Sequence, residues 1–255
     1  MPNQQPRRRF AGRSALVTGA AGDIGSAVAR ALVEEGARVT LLDRDAHALE
    51  SLGRDLGPAA LAVAADVTRE PEVEEAVEKA VGFGGGLHLV FNNAGTEGPV
   101  GPLEELDLAE LERTLRINVV GAAAVLKHSL RHMGPGGSVV QTGSTASVSG
   151  AAHLIPYVAS KHALLGMTRA ASREVAGRGV RVSAICPGPV RGQMMERISG
   201  GRADAGTPTT PDPTTLDGGR RAEVGEIVSA VLFLLSEESG FVTGTGLLAD
   251  GGRLA

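Results

Sequence analysis

Ser14 to Gly36 reads SALVTGAAGDIGSAVARALVEEG. An apolar, partly β-branched run, SALVTG, passes through a turn of glycine and alanine and enters IGSAVARALVEEG, where apolar residues recur at helical spacing. A strand, a glycine-rich turn and a helix in that order open a βαβ unit, and the rest of the chain repeats the alternation. ARVTLLD, ALAVAAD, LHLVFNNAG, GSVVQTGS and VRVSAICPG read as further strands, and GTGLLADGG near the end as a seventh. Between them AHALESLGRDLG, EPEVEEAVEKAVG, the stretch from Leu103 to His132, and YVASKHALLGMTRAASREVAGRG carry a helical period. The pattern predicts an α/β fold with a parallel sheet flanked by helices.

The composition bounds what this fold can do. The chain has 255 residues, 42% of them hydrophobic, enough for a sizeable core, and no break in composition divides it. Residues 12–255 are expected to form one domain behind a disordered polar tail, 1–11, that carries Arg7, Arg8 and Arg9. Within that domain SGGRADAGTPTTPDPTTLDGG, Ser199 to Gly219, loses all period; an irregular segment after the sixth strand suits a substrate lid, drawn here over 191–220. A formal net charge of -4 argues against nucleic acid and acidic membranes as partners. The longest apolar runs, such as AVLFLL, fall far short of a membrane span. A lone cysteine, Cys186, rules out an internal disulfide and reads as a buried, inert thiol in a cytoplasmic protein. The six histidines show no metal-ligand spacing, so no metal is expected.

TGAAGDIG, Thr18 to Gly25, lies where backbone amides and a helix N-terminus can face a pyrophosphate. Asp43 closes the second strand, where a carboxylate accepts from both ribose hydroxyls of NAD and repels the extra phosphate of NADP. Arg44 next to it could pair with that phosphate instead, so NAD is expected and NADP stays open. A second signal is YVASK, whose Tyr157 is the only tyrosine of the chain. Lys161, four residues on, shares its helical face, and an ammonium beside a phenol favours the ionised form. Ser144 ends the fifth strand and can face the same crevice.

Taken together, TGAAGDIG, the Asp66–Val67 pair, NNAG at Asn92 to Gly95, Asn118 in NVVG, Ser144, YVASK, PGPV at Pro187 to Val190 and the terminal DGG resemble a classical short-chain dehydrogenase/reductase, from about residue 12 to 252. The resemblance implies a single Rossmann-like, doubly wound sheet of seven parallel strands. It also implies an NAD(H)-dependent oxidoreductase that interconverts a secondary alcohol and a ketone. In that reading Ser144 orients the substrate oxygen, Tyr157 exchanges the proton, Lys161 lowers the phenol pKa and binds the nicotinamide ribose, and Asn118 holds a proton-relaying water. The cofactor contacts fall to Gly19, Asp23, Ile24, Gly25, Asp43, Arg44, Asp66, Val67, Asn93, Ala94, Gly95, Tyr157, Lys161, Pro187, Gly188 and Val190, with Asp66 on the adenine. Equivalent long helices pack between subunits in the family, so a homodimer or homotetramer is implied.

The chain departs from the family pattern twice. Asp23 stands where a second fingerprint glycine is usual, and it is expected to cap free helix amides with its side chain turned from the cofactor. Gly192 stands where a threonine often holds the nicotinamide carboxamide; the Val190 amide is left to serve. Ser144, His153, Leu154, Gln193 and Met194 are expected around the substrate, with Met195, Thr96 and Glu97 near the opening. Arg191 is the one arginine placed there, so a neutral, moderately apolar secondary alcohol or ketone is expected, cyclic ones included. The alternatives are an NADPH-dependent reductase of 3-oxoacyl thioesters or polyketides and, in another class, a noncatalytic dinucleotide sensor.

Overall fold

The computed structural model describes residues 8–207, 211 and 214–255. Its strands are β1 (Ser14–Thr18), β2 (Arg38–Asp43), β3 (Ala60–Ala64), β4 (Leu89–Asn92), β5 (Ser138–Thr142), β6 (Arg181–Pro187) and β7 (Gly246–Ala249). They form one sheet in the order β3-β2-β1-β4-β5-β6-β7, every pair parallel. The helices are α1 (Asp23–Glu34), α2 (Ala46–Leu56), α3 (Glu70–Gly84), α4 (Leu108–Leu115), α5 (Ala122–His132), α6 (Ile155–Val175), α7 (Gln193–Asp204) and α8 (Val224–Leu235).

Alternate strand residues sort the core into two layers, as the two-residue period of a strand requires. Ala15 and Val17 of β1 join Val28, Ala29 and Leu32 of α1 and Ile227, Val231 and Leu234 of α8 on one face. Leu16, between them, joins Val73 and Val77 of α3 and Val125 of α5 on the other. Helices therefore cover both faces, and the sheet is doubly wound. The chain reverses its direction of progress between β1 and β4, so their carboxyl ends part into a crevice. Local signals end the elements: Asp45 accepts from the Ala48 amide at 3.0 Å at the start of α2, and Gly85 takes a left-handed conformation after α3.

Four expectations change in the fold. The stretch from Leu103 to His132 is not one α-helix, because Arg116–Gly121 widens into a π segment between α4 and α5. Gly121 presses there against Val67, where an added Cβ would lie 2.9 Å from Cγ2. The segment read as irregular from Ser199 is helical as far as Asp204, while 208–210, 212 and 213 lie outside the described residues. AVLFLL belongs to α8, a helix that its short apolar run did not disclose.

The tail expected over 1–11 is ordered before residue 12, and Arg7 lies outside the described residues. Phe10 is 1% exposed within the α1 and α8 layer, its amide donates to the Glu35 carbonyl at 3.1 Å, and Arg9 pairs with the Glu35 carboxylate. A side chain buried this fully costs about 3 kcal/mol to truncate. Phe10→Ala should lower the unfolding free energy by about that amount in urea. An unchanged midpoint would return Phe10 to the tail.

Candidate active site

The carboxyl ends of the strands open into a cavity of about 840 Å³. Its first wall is the glycine-rich turn. Gly19 sits at φ +63°, and an added Cβ would lie 2.9 Å from Ala94 Cα, so the turn comes close to the β4 end only as glycine. On Gly25 a Cβ would lie 2.8 Å from the Gly19 carbonyl carbon, which fixes α1 directly against the turn. No side chain caps the start of α1, and Asp23 and Ile24 line the cavity. An uncapped helix start facing a cavity is a fitting seat for a pyrophosphate.

Beside the turn, Asp43 accepts from the Ala21 amide at 3.0 Å and the Asp45 amide at 3.2 Å. Arg44 is exposed on the same rim. Burial pushes the Asp66 carboxyl up, but hydrogen bonds from the Thr68 amide and hydroxyl, with Arg69 and Arg44 nearby, outweigh it and leave the pKa below its usual value.

A half-buried network locks the floor. The Thr18 hydroxyl accepts from the Asn93 and Ala94 amides at 2.9 and 3.0 Å. Asn93 Nδ2 donates to the Thr18 carbonyl at 3.2 Å, and its Oδ1 accepts from the Thr142 hydroxyl at 3.0 Å. The ends of β1, β4 and β5 are thereby tied together.

Ser144 begins a short turn, where its Oγ accepts from the Ala146 amide at 3.1 Å. That bond occupies a lone pair and leaves the O–H free to donate. The rival hydroxyl of Ser147 is buried and accepts from the Ser144 amide at 3.1 Å. Tyr157, in the first turn of α6, lines the cavity with Ser144; burial raises its pKa above the ordinary value and outweighs the lowering influence of Ser144. Lys161 is 4% exposed; its Nζ donates to the Thr142 carbonyl at 2.6 Å and stands 5.4 Å from the centre of the Tyr157 ring. The expectation that Lys161 holds the phenol below its usual pKa is not met in this state: desolvation dominates at Tyr157, and it also pulls Lys161 down to about 8. Cys186 is fully buried beneath the Ser144 turn, and burial raises its pKa, as an inert thiol requires.

The cavity gathers the cofactor, catalytic and substrate residues expected from sequence, with four exceptions. Glu97 is 8% exposed and pairs with Arg197 instead of lining the wall. Gly25 lies behind the turn. Asn118, fully buried in the π segment, accepts from the Thr96 amide at 2.8 Å and donates to the Thr96 carbonyl at 2.7 Å and Ser160 Oγ at 2.9 Å. Its side chain fixes the segment after Asn93 from behind. His153 is outside the wall: its φ is +64°, its carbonyl accepts from Gly101, and Leu154 takes the place at the cavity. Arg191 is not the lone arginine either, since Arg113, Arg116, Arg202 and Arg253 also reach the wall. Sequence reading passed over Ile198 and Arg202 because α7 was not recognised; the spacing of Met194, Met195 and Ile198 was the available signal.

Asp23 does not cap its own helix. Its Oδ2 accepts from the Gln193 amide at 2.9 Å, the first residue of α7.

A doubly wound sheet with this turn at the switch point and Ser144, Tyr157 and Lys161 at the crevice marks a class of oxidoreductases, and comparison with known proteins agrees. A family profile described as Enoyl-(Acyl carrier protein) reductase matches residues 19–253. The chain is 38% identical over 251 residues to the cis-4-hydroxycyclohexanecarboxylate dehydrogenase of Sinomonas cyclohexanicum, covering 96% of this chain and 98% of the relative. The crystal structure of NAD+-bound xylitol dehydrogenase superimposes with a TM-score of 0.89 at 34% identity, covering 95% of this chain and 99% of that one. A short chain dehydrogenase from Burkholderia cenocepacia J2315 in complex with NADP gives a TM-score of 0.85 at 31% identity, covering 97% and 100%. The chain belongs to the classical short-chain dehydrogenase/reductase family.

The burial of Lys161 has a measurable cost. Below about pH 8 the fold holds a buried charge, and between about 8 and 10.5 the unfolded chain keeps a proton that the folded chain has released. Stability contributed at this site therefore rises with pH across that window, by up to about 3 kcal/mol. The difference in unfolding free energy between wild type and Lys161→Met should shift in favour of wild type from about pH 7.5 to about pH 10. A flat difference would contradict the depressed pKa.

Proposed function

We propose that this protein interconverts a secondary alcohol and a ketone by hydride transfer with NAD(H), using Tyr157 as the acid and base. The observation that carries the reading is that Ser144, Tyr157 and Lys161 line one cavity, with the buried Lys161 Nζ 5.4 Å from the centre of the phenol ring. The glycine-rich turn, Asp43, Asp66, Val67, the Asn93–Gly95 segment and Pro187 to Val190 would hold the dinucleotide. When bound, the nicotinamide ring supplies the site that accepts or gives the hydride.

The chain's own residues do the rest. Ser144 donates to the substrate oxygen and holds it beside the phenol. In ketone reduction the Tyr157 O–H gives its proton to the oxygen as the carbonyl carbon gains the hydride; in alcohol oxidation the phenolate takes it back. The raised phenol pKa keeps that proton available at neutral pH. Lys161, anchored on the Thr142 carbonyl, supports the phenolate, and Asn118 positions the segment after Asn93. Asp43 favours NAD over NADP, while exposed Arg44 and the NADP-bound Burkholderia neighbour speak for the second cofactor.

Leu154, Met194, Met195 and Ile198 give the substrate side an apolar wall. Arg113 pairs with Glu110, Arg191 with Glu223, and Arg202 donates to the Thr207 carbonyl, so these three cations are already engaged. A neutral, moderately apolar substrate fits this wall, and the named action of the Sinomonas relative on a ring alcohol supports a cyclic one.

Tyr157→Phe removes the acid and keeps the ring. Its turnover of a cyclic secondary alcohol should fall by about 10²–10⁴-fold while NADH binding persists; turnover at the wild-type rate would sink the assignment. Leu103, Leu108 and Val120 are exposed on the stretch leading into α5, and Phe241 is fully exposed before β7. We propose that these surfaces pair in a homodimer or homotetramer. Sedimentation at micromolar concentration should show one of these, and a monomer would refute it.

A further inference from the structure

The two departures from the family pattern meet in the fold. Gln193, the first residue of α7, donates its amide hydrogen to Asp23 Oδ2 at 2.9 Å. Gly192, just before it, has φ +150°, and an added Cβ would lie 3.1 Å from Asp23 Cγ and closer still to Oδ2. Neither helix start has a side-chain cap of its own. The carboxylate that opens α1 thus serves α7 instead, and only a residue without Cβ at 192 leaves it room.

The rest of α7 is strapped to the same body. Arg197 pairs with Glu97 after β4, Arg221 pairs with Glu196 and donates to Ser199 Oγ at 2.9 Å, and Gly201 packs on Val100. Met194, Met195 and Ile198 of this helix line the cavity on its substrate side.

We propose that Asp23 and Gly192 are one matched pair, a clasp that holds the substrate helix α7 to the glycine-rich turn and sets substrate affinity from the cofactor side. Asp23 is then a positioning residue. Its charge faces the positive end of α7, which leaves the first amides of α1 open to the cavity. Threonine at 192 would collide with Asp23, and glycine at 23 would leave α7 uncapped, so each departure requires the other. The clasp stands on these contacts; its effect on substrate rests on the reaction proposed above.

The test is hydrogen exchange of the ligand-free protein, read at residues 193–204, together with steady-state kinetics on a cyclic secondary alcohol. Asp23→Ala should speed exchange there by about fivefold and raise KM more than it lowers kcat, whereas Asp23→Asn, which still accepts the Gln193 amide, recovers most of both. Gly192→Ala should speed exchange more in wild type than in an Asp23→Gly background. Unchanged exchange in Asp23→Ala, or equal effects of Gly192→Ala in both backgrounds, overturns the clasp. Faster exchange with KM unmoved overturns its link to substrate. If no alcohol is turned over, the exchange data still decide the clasp, and the failure lies with the proposed reaction.

Discussion

The parting of β1 and β4 at their carboxyl ends is the constraint on which the site depends. A crevice between two parallel strands exposes backbone ends that their ladder no longer pairs. Thr18, Asn93 and Thr142 answer this with a half-buried set of side-chain bonds across three strand ends. The glycine-rich turn then approaches the Asn93–Gly95 segment without strain, and the Thr142 carbonyl stands ready for Lys161. Fold and chemistry share these few hydrogen bonds, so loosening the floor would move both the cofactor seat and the ammonium.

The electrostatics of the crevice follow from burial more than from charge. Tyr157 and Lys161 are both driven toward their neutral forms by desolvation. A neutral phenol in the cavity beside Ser144 is a stored acid, and an amine with a pKa near 8 is poised between states in the physiological range. Asp66 shows the opposite balance. Asp66 is kept charged by Thr68 and neighbouring arginines, and Asp43 is fixed by the Ala21 and Asp45 amides.

Much of this was legible in the sequence, because strand and helix periods and short-range spacings are local properties. Every strand of the sheet was visible as a run, and Tyr157 and Lys161 share a face because helix geometry alone places them so. What escaped depends on distant partners. The π segment at Arg116–Gly121 answers the packing of Gly121 on Val67, and Phe10 is buried by α1 and α8. α7 carries the helix-weakening run Ser199 to Gly201, so its propensity hides it; its ties to Asp23, Glu97 and Arg221 come from elsewhere in the chain. His153 shows the converse, since a residue beside the catalytic loop is kept out of the wall by its backbone turn.

In the proposed reading Asp43 selects the dinucleotide. Calorimetric titration of the purified protein with NADH and, separately, with NADPH tests this most directly. NADH should bind at least roughly tenfold more tightly, a difference of about 1.4 kcal/mol. Equal or tighter binding of NADPH would contradict the role given to Asp43 and pass selection to Arg44.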